Sequence, residues 1–362
     1  MDLTGWLLRR AVPCAFVITE IGGTGARLAV ERLLRERGWR QALAPAEADL
    51  LVVCGHPCAE LSRTVDQVWA QLPGPRARAR VGVPEEARRV LDAAHTDLID
   101  VAAQRRDADE RDRAARERAE AGESEDMPGG LPMADRGEDR DGLKLDRLHL
   151  TLGPALPDWP AGLSLRAVIQ GDVVQEAEVA LIGARDRASS FWGTPRPGSE
   201  ASGRPWAAAT AALDSAQRLL SVAGWPAAAL SGRRLRDALL DPDPGPGDRA
   251  DLRRWLRAAR RSRLLRWSLN GLGVVDGRAP VELRGDAADR YSRWLDTVQE
   301  GVGEPGGRAA PPDTSRAETA HAALELLPSL VVGQEVAATR LIVASLDPDT
   351  DSVGAHTPER NS

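Results

Sequence analysis

The segment from Val83 to about Asp126 divides this chain. Its composition shifts to Arg, Glu, Asp and Ala, with almost no apolar residue after Val101. Such a stretch cannot bury enough apolar surface to offset the entropy of ordering it. A solvated helix or a disordered linker is therefore expected over residues 84–128, between a unit at 1–83 and another at 129–350, with a disordered tail at 351–362. A chain of 362 residues is long enough for two such units.

Before the divide, VPCAFVITEI (12–21) is a short apolar, β-branched run that ends in GGTG. The helix pattern ARLAVERLLRERGW follows, with Leu28, Leu33 and Leu34 on one side and arginines on the other. A second buried strand, ADLLVVCG, runs from Ala48 to Gly55, and an amphipathic helix spans about Cys58 to Leu72. Strand, helix, strand, helix is the order of a parallel layer, so the first unit is expected to be a small α/β fold with a possibly incomplete parallel sheet.

After the divide, LSLRAVIQ and VVQEAEVAL are strand-like and meet at Gly171-Asp172, a pair favoured in tight hairpin turns. Helix patterns then recur at 206–223, 227–240, 249–267, 286–300 and 315–331. The second unit is expected to be mostly α-helical and entered by a β-hairpin.

A net charge of -6 with both signs interspersed leaves no broad basic field, which argues against nucleic acid as a partner. The run of apolar residues at the N-terminus is broken by Arg9 and Arg10 and lacks a small-residue cleavage site, and the cysteine count of three is odd. Together these predict a reducing cytoplasmic setting. No stretch reaches the roughly 20 apolar residues that span a bilayer, so the chain is expected not to be transmembrane itself.

Several constellations invite chemistry. Cys54 and Cys58, spaced C-x-x-x-C around His56, are candidates for zinc or, with Cys14, for an iron-sulfur cluster; buried, inert thiols are the alternative. Gly22, Gly23 and Gly25 between a strand and a helix resemble a dinucleotide-binding loop, with Glu47 or Asp49 as the ribose acid. The alternative is a tight strand-to-helix turn. Asp135, Arg136, Glu138, Asp139, Arg140 and Asp141 alternate in sign on a Gly-flanked loop, which reads as solvated surface or as an interface. Trp159, between Asp158 and Pro160, could stack on a ring or a partner, or plug a core; His149 reads as a structural histidine on a strand. No Ser-His-Asp or Cys-His set is readable, so no catalytic residue is assigned.

Three collinear pieces of the second half resemble the large subunit of nickel-iron hydrogenases and the related quinone-site (D) subunit of respiratory complex I. They are HLTLGPALPDWPAGLSLRAVIQGDVVQEAEV, then GDAADRYSRWLDTVQEG (285–301) with the family's GD-x-x-x-RY pattern, then LPSLVVGQEVAATRLIVASLDP. The hydrogenase family ends in Asp-Pro-Cys-x-x-Cys, whose cysteines hold metal, whereas here Asp347-Pro348 is followed by Asp349, and Ser352 takes the second position. The segment 183–205 likewise carries no counterpart of the family's first cysteine pair. ADLLVVCGHPCAELSRTVDQVWAQLPGPRARARV (48–81) is similar to the small (B) subunit of the same complexes. The resemblance implies a fusion of two degenerate subunits within a complex I-like or energy-converting hydrogenase-like assembly. It implies other subunits of a membrane-bound, ion-translocating redox complex as partners, peripheral attachment at the inner face of the cell membrane, and a structural or coupling role without a metal centre of its own. The readings that compete with it are an iron-sulfur or quinone-linked NADH dehydrogenase-type subunit and a nucleotide-binding regulator.

Overall fold

The computed structural model describes residues 10–56, 58–120, 135–138, 144–183, 190–193, 206–241, 245–303 and 313–353. These divide into two compact units, one taking the residues up to Leu150 with 155–157, the other 151–154 and the residues from Asp158 onward.

The first unit is built on a four-stranded parallel sheet. Its strands are β1 (Cys14–Thr19), β2 (Arg40–Gln41), β3 (Leu50–Cys54) and β4 (Ala77–Val81), in the order β2-β1-β3-β4. Helices α1 (Thr24–Glu36) and α2 (Ala59–Gln71) make crossovers, and α3 (Ala87–Ile99) follows the last strand and packs back on the sheet. Leu50 to Cys54 are all fully buried, because a parallel strand is covered on both faces and reads as an unbroken apolar run. Ala15, Val17, Leu50 and Val52 pack with Val30, Leu33 and Leu34 of α1 and with Ala87, Leu91, Ala94 and Leu98 of α3.

That last helix corrects the expected divide. Ala87, Leu91, Ala94 and Leu98 recur at helical spacing amid charged residues and belong to the core of the first unit, so the charged segment begins at α4 (Val101–Glu120), which buries nothing of its own. α4 is held by polar contacts instead. Half-exposed Asp107 pairs with the buried Arg76 guanidinium at 3.0 Å, that guanidinium lies 4.1 Å from the Trp69 ring centroid, and Gln104 bonds the Arg76 backbone at both N–H and carbonyl. Of the two alternatives for this stretch, the helix is the one adopted, docked rather than free.

β5 (Asp135–Glu138) and β6 (Lys144–Leu152) form an antiparallel pair, with Asp135 opposite Arg147 and Glu138 opposite Lys144. The expected loop at this position is therefore a strand as far as Glu138; Asp139, Arg140 and Asp141 lie outside the described residues.

The second unit opens with the predicted hairpin, β7 (Leu163–Gln170) and β8 (Val173–Leu181), turned at Gly171, whose φ of 64° suits glycine. The helices are α5 (Ala207–Val222), α6 (Pro226–Leu239), α7 (Pro246–Arg261), α8 (Arg263–Leu269), α9 (Ala287–Gly303), α10 (Asp313–Val331) and α11 (Val336–Leu346). The helix expected over 249–267 is broken at Ser262, whose hydroxyl accepts the Leu265 N–H and caps α8. Leu213 and Leu220, Leu235 and Leu239, Trp255, Leu269, Leu295 and Ala344 bring α5 to α9 and α11 into one core.

The GD-x-x-x-RY run is the joint of this unit. Asp286 and Asp289 cap the start of α9 reciprocally, each side chain accepting the other's backbone N–H, and Asp286 also accepts the Gly271 N–H at 2.7 Å. Arg290, 1% exposed, donates to the carbonyls of Gly273, Leu283 and Gly285 and to the Ser345 hydroxyl at 2.8 Å. Burial pushes its guanidinium down to about 10, still charged at neutral pH. One side chain thereby ties α9 to the 270–286 loop and to α11.

Candidate functional site

The turn Asp347-Pro348-Asp349 follows α11 directly, with Asp347 in the left-handed conformation at the helix C-terminus (φ 37°). It forms one wall of a cavity of about 550 Å³ within the second unit, lined also by Ala212 of α5, Trp294 of α9, Arg316 of α10 and Ser345 of α11. In the hydrogenase pattern this position carries thiolates. Here each polar group on the turn is engaged. Asp347 pairs with Arg218 of α5 at 2.9 Å. The Ser352 hydroxyl donates to the Asp349 carbonyl at 2.6 Å. The Ser190 hydroxyl donates to Asp349 Oδ2 at 2.5 Å, and Arg316 Nη1 stands 3.5 Å from the same oxygen.

Ser190 belongs to the 183–205 segment, where the family would place its first cysteine pair, and it lies 159 residues from Asp349 in sequence. The two segments are joined by a hydroxyl-carboxyl hydrogen bond. The residues present do not suit a nickel-iron centre. Hard oxygen donors replace the soft anionic sulfurs such metals require, and the chain's cysteines, Cys14, Cys54 and Cys58, all lie in the first unit. No group of three or more His, Cys, Asp or Glu among the described residues is placed to hold a metal ion.

Burial pushes the Asp349 carboxyl above its ordinary value of 3.8, against the opposing hydrogen bond from Ser190, and the nearby Asp351 pushes the same way. A carboxyl raised in the folded state contributes stability that is fully present below its ordinary value and is lost as pH climbs through the raised one. Thermal unfolding followed between pH 4 and 8 is expected to show the second unit weakening toward neutrality. Asp349→Asn, which still accepts from Ser190, is expected to flatten that slope; an unchanged slope would contradict the assignment.

The sheet of the first unit separates the cysteines. β1 and β3 are parallel with Thr19 opposite Cys54 and Ala15 opposite Leu50. Cys14 therefore stands at the opposite end of the sheet from Cys54, five residues away along the strand, about 16 Å at 3.3 Å per residue. The three-cysteine cluster candidate is thereby corrected: one cubane cannot reach both ends of a strand. Cys14 and Cys54 are buried and burial pushes both thiols up, so they are poor ligands and poor nucleophiles. Cys58, at the N-cap of α2, is half-buried. Alkylation of the native protein is expected to label Cys58 at least about 100-fold faster than the other two, which react only through unfolding; peptide mapping checks this.

The glycine loop lies at the C-terminal ends of β1 and β3, where a doubly wound sheet would place a ligand. Its geometry nevertheless follows from packing. Gly22 adopts φ 83°, and a Cβ on Gly23 would collide with the carbonyls of Cys54 and Glu20. Gly25 is already within α1. Glu20, 2% exposed, lies under the loop and pairs with Arg80 at 2.9 Å. The proposed ribose acids are misplaced. Asp49 accepts the Cys14 N–H at 2.8 Å at the far end of the sheet, and Glu47 accepts the Leu43 N–H. This is the tight-turn alternative.

Trp159 is 7% exposed and its indole N–H donates to the Leu163 carbonyl at 2.8 Å. It fills the space over Gly153, where a Cβ would strike the indole, so it plugs the core and is corrected as an interface side chain. His149 is on strand β6 as expected but exposed, as is its neighbour Leu148. Arg290, Arg236 and Ser190 were not singled out by sequence reasoning. The RY pair was the one available signal, for Arg290.

Compared with known proteins, the chain matches no family model and no curated protein. Among solved structures, a chain in the membrane-bound sulfane sulfur reductase (MBS), an archaeal respiratory membrane complex, is similar over 57% of this chain and 98% of that one, at 15% identity and a TM-score of 0.38. A likeness of that degree adds nothing to the geometry above. No described helix is long and apolar enough to cross a membrane.

Proposed function

We propose that this chain is a subunit of a complex I-like or energy-converting hydrogenase-like assembly, a fusion of a B-like and a D-like segment that acts as a structural and coupling component without a metal centre of its own. The observation that carries the reading is the Ser190–Asp349 hydrogen bond at 2.5 Å, beside the Arg218–Asp347 pair. Both occur on the Asp-Pro turn that the resemblance marks as a metal position: the hydrogen bond joins the turn to the 183–205 segment, and the ion pair joins it to α5. Arg290 on the GD-x-x-x-RY run supports the same frame through Ser345 of α11.

In this role the cavity behind Asp349 is a remnant of the metal chamber. Its buried carboxyl and the Arg316 guanidinium give it two polar groups that respond to the arrangement of α10 and α11. A partner that shifts either helix changes the pairing, which is the form a coupling component's response would take. The Asp135–Asp141 segment is offered as a contact for partner subunits. Expression with the genes adjacent to its own, followed by affinity purification, tests the reading. Recovery in a stable complex with an ion-translocating membrane subunit is the expected result, and recovery as a free monomer under conditions that preserve the complex contradicts it.

A further inference from the structure

The surface of α7 and α8 carries charge and apolar side chains that nothing above uses. Eight arginines and a single carboxylate, Asp251, lie between Arg249 and Arg266, in a chain whose net charge is -6. Asp251 is engaged by Arg234 and Arg254, and Arg260 pairs with Asp296. Arg253, Arg257, Arg261, Arg263 and Arg266 are exposed and have no carboxylate partner among the described residues. On α8, Leu265 and Leu269 enter the core, while Leu264 and Trp267, one turn apart on the other side, are 63% and 77% exposed. An isolated exposed leucine is ordinary, but a tryptophan and a leucine side by side on one helical face and flanked by unpaired arginines are not.

We infer that Leu264 and Trp267 on α8, ringed by Arg261, Arg263 and Arg266, dock this chain onto the surface of an anionic phospholipid bilayer. Charge complementarity chooses the occupant, since unpaired guanidinium groups attract lipid phosphates. The apolar pair refines the choice. Tryptophan is favoured at the headgroup level and leucine gains by entering the acyl boundary, whereas a purely acidic surface offers leucine nothing. The inference goes beyond the assembly reading and does not rest on it: lipid docking would survive if the partner subunits proved to be others, and the assembly would survive without it.

Flotation of the full chain with vesicles tests it, using phosphatidylcholine alone and phosphatidylcholine mixed with phosphatidylglycerol. Binding to the mixed vesicles only, weakening as salt is raised, is expected. Each of Arg261→Ala, Arg263→Ala and Arg266→Ala is expected to weaken binding about fivefold, and Leu264→Ala combined with Trp267→Ala at least about tenfold. All five positions are exposed, so unchanged circular dichroism separates lost binding from lost folding. Absence of flotation overturns the inference. So does flotation that depends on the arginines but not on Leu264 and Trp267, or retention on an oligonucleotide or polyglutamate without vesicle binding, because either result marks a general polyanion surface.

Discussion

Replacing Arg290 with methionine is expected to destabilise the second unit by at least about 4 kcal/mol, a large part of the total stability of an ordinary domain. Methionine restores much of the volume and none of the donors. The carbonyls of Gly273, Leu283 and Gly285 and the Ser345 hydroxyl would each lose a buried partner, and every such loss costs about 1–3 kcal/mol. Arg290→Lys is expected to recover little, because an ammonium cannot fork to three backbone carbonyls and a side chain at once. Urea unfolding of the whole chain, monitored by circular dichroism, checks both. A cost below about 1 kcal/mol for either variant would show that the guanidinium is not the joint described here.

The second large effect is expected at Arg236. This side chain is fully buried and bridges α5 and α6, with Nη1 2.7 Å from Asp214 and Nη2 2.7 Å from Asp237. Arg236→Ala leaves two buried carboxylates without their cation, at a cost of about 3–5 kcal/mol. Removing all three charges together, as Arg236→Leu with Asp214→Ala and Asp237→Ala, is expected to restore much of the loss, since an ion network taken out whole relieves its own desolvation. Equal destabilisation by the single and triple variants would mean that shape, not charge, governs the α5–α6 contact.

Both arginines show which part of the molecule its sequence discloses. Two strands of the first unit, β1 and β3, were legible because burial on both faces turns them into apolar runs such as Leu50 to Cys54. β4 was not, since Arg78 and Arg80 alternate with Ala77, Ala79 and Val81 and their charges are met by Asp66 and Glu20 from elsewhere in the fold. α3 was hidden in the same way, its four apolar positions diluted among acids and arginines. In the second unit the hairpin and most helices were legible from turn residues and periodicity, while α11 was noticed only as a sequence motif.

The candidate site was legible in outline and not in substance. The missing thiolates can be read directly from Asp349 and Ser352. The partner of Asp349 cannot, because the Ser190–Asp349 contact joins residues 159 positions apart and no local pattern encodes it. The cysteines mislead for a related reason. Spacing suggests that Cys54 and Cys58 belong together, but only the parallel register reveals that Cys14 is at the far end of the sheet. Gly23 illustrates the converse. Its need for glycine is real, yet the close approach that demands it comes from the Cys54 carbonyl and not from a phosphate.

The proposed reading is that a hydrogenase-type frame persists here with hydrogen bonds and ion pairs where metal-binding sulfur would be. Elemental analysis of iron and nickel, with acid-labile sulfide, on the chain purified anaerobically from its native host measures this most directly. The account predicts metal far below one equivalent per chain and no cluster signal by electron paramagnetic resonance. A stoichiometric cubane or nickel centre liganded by this polypeptide would contradict it.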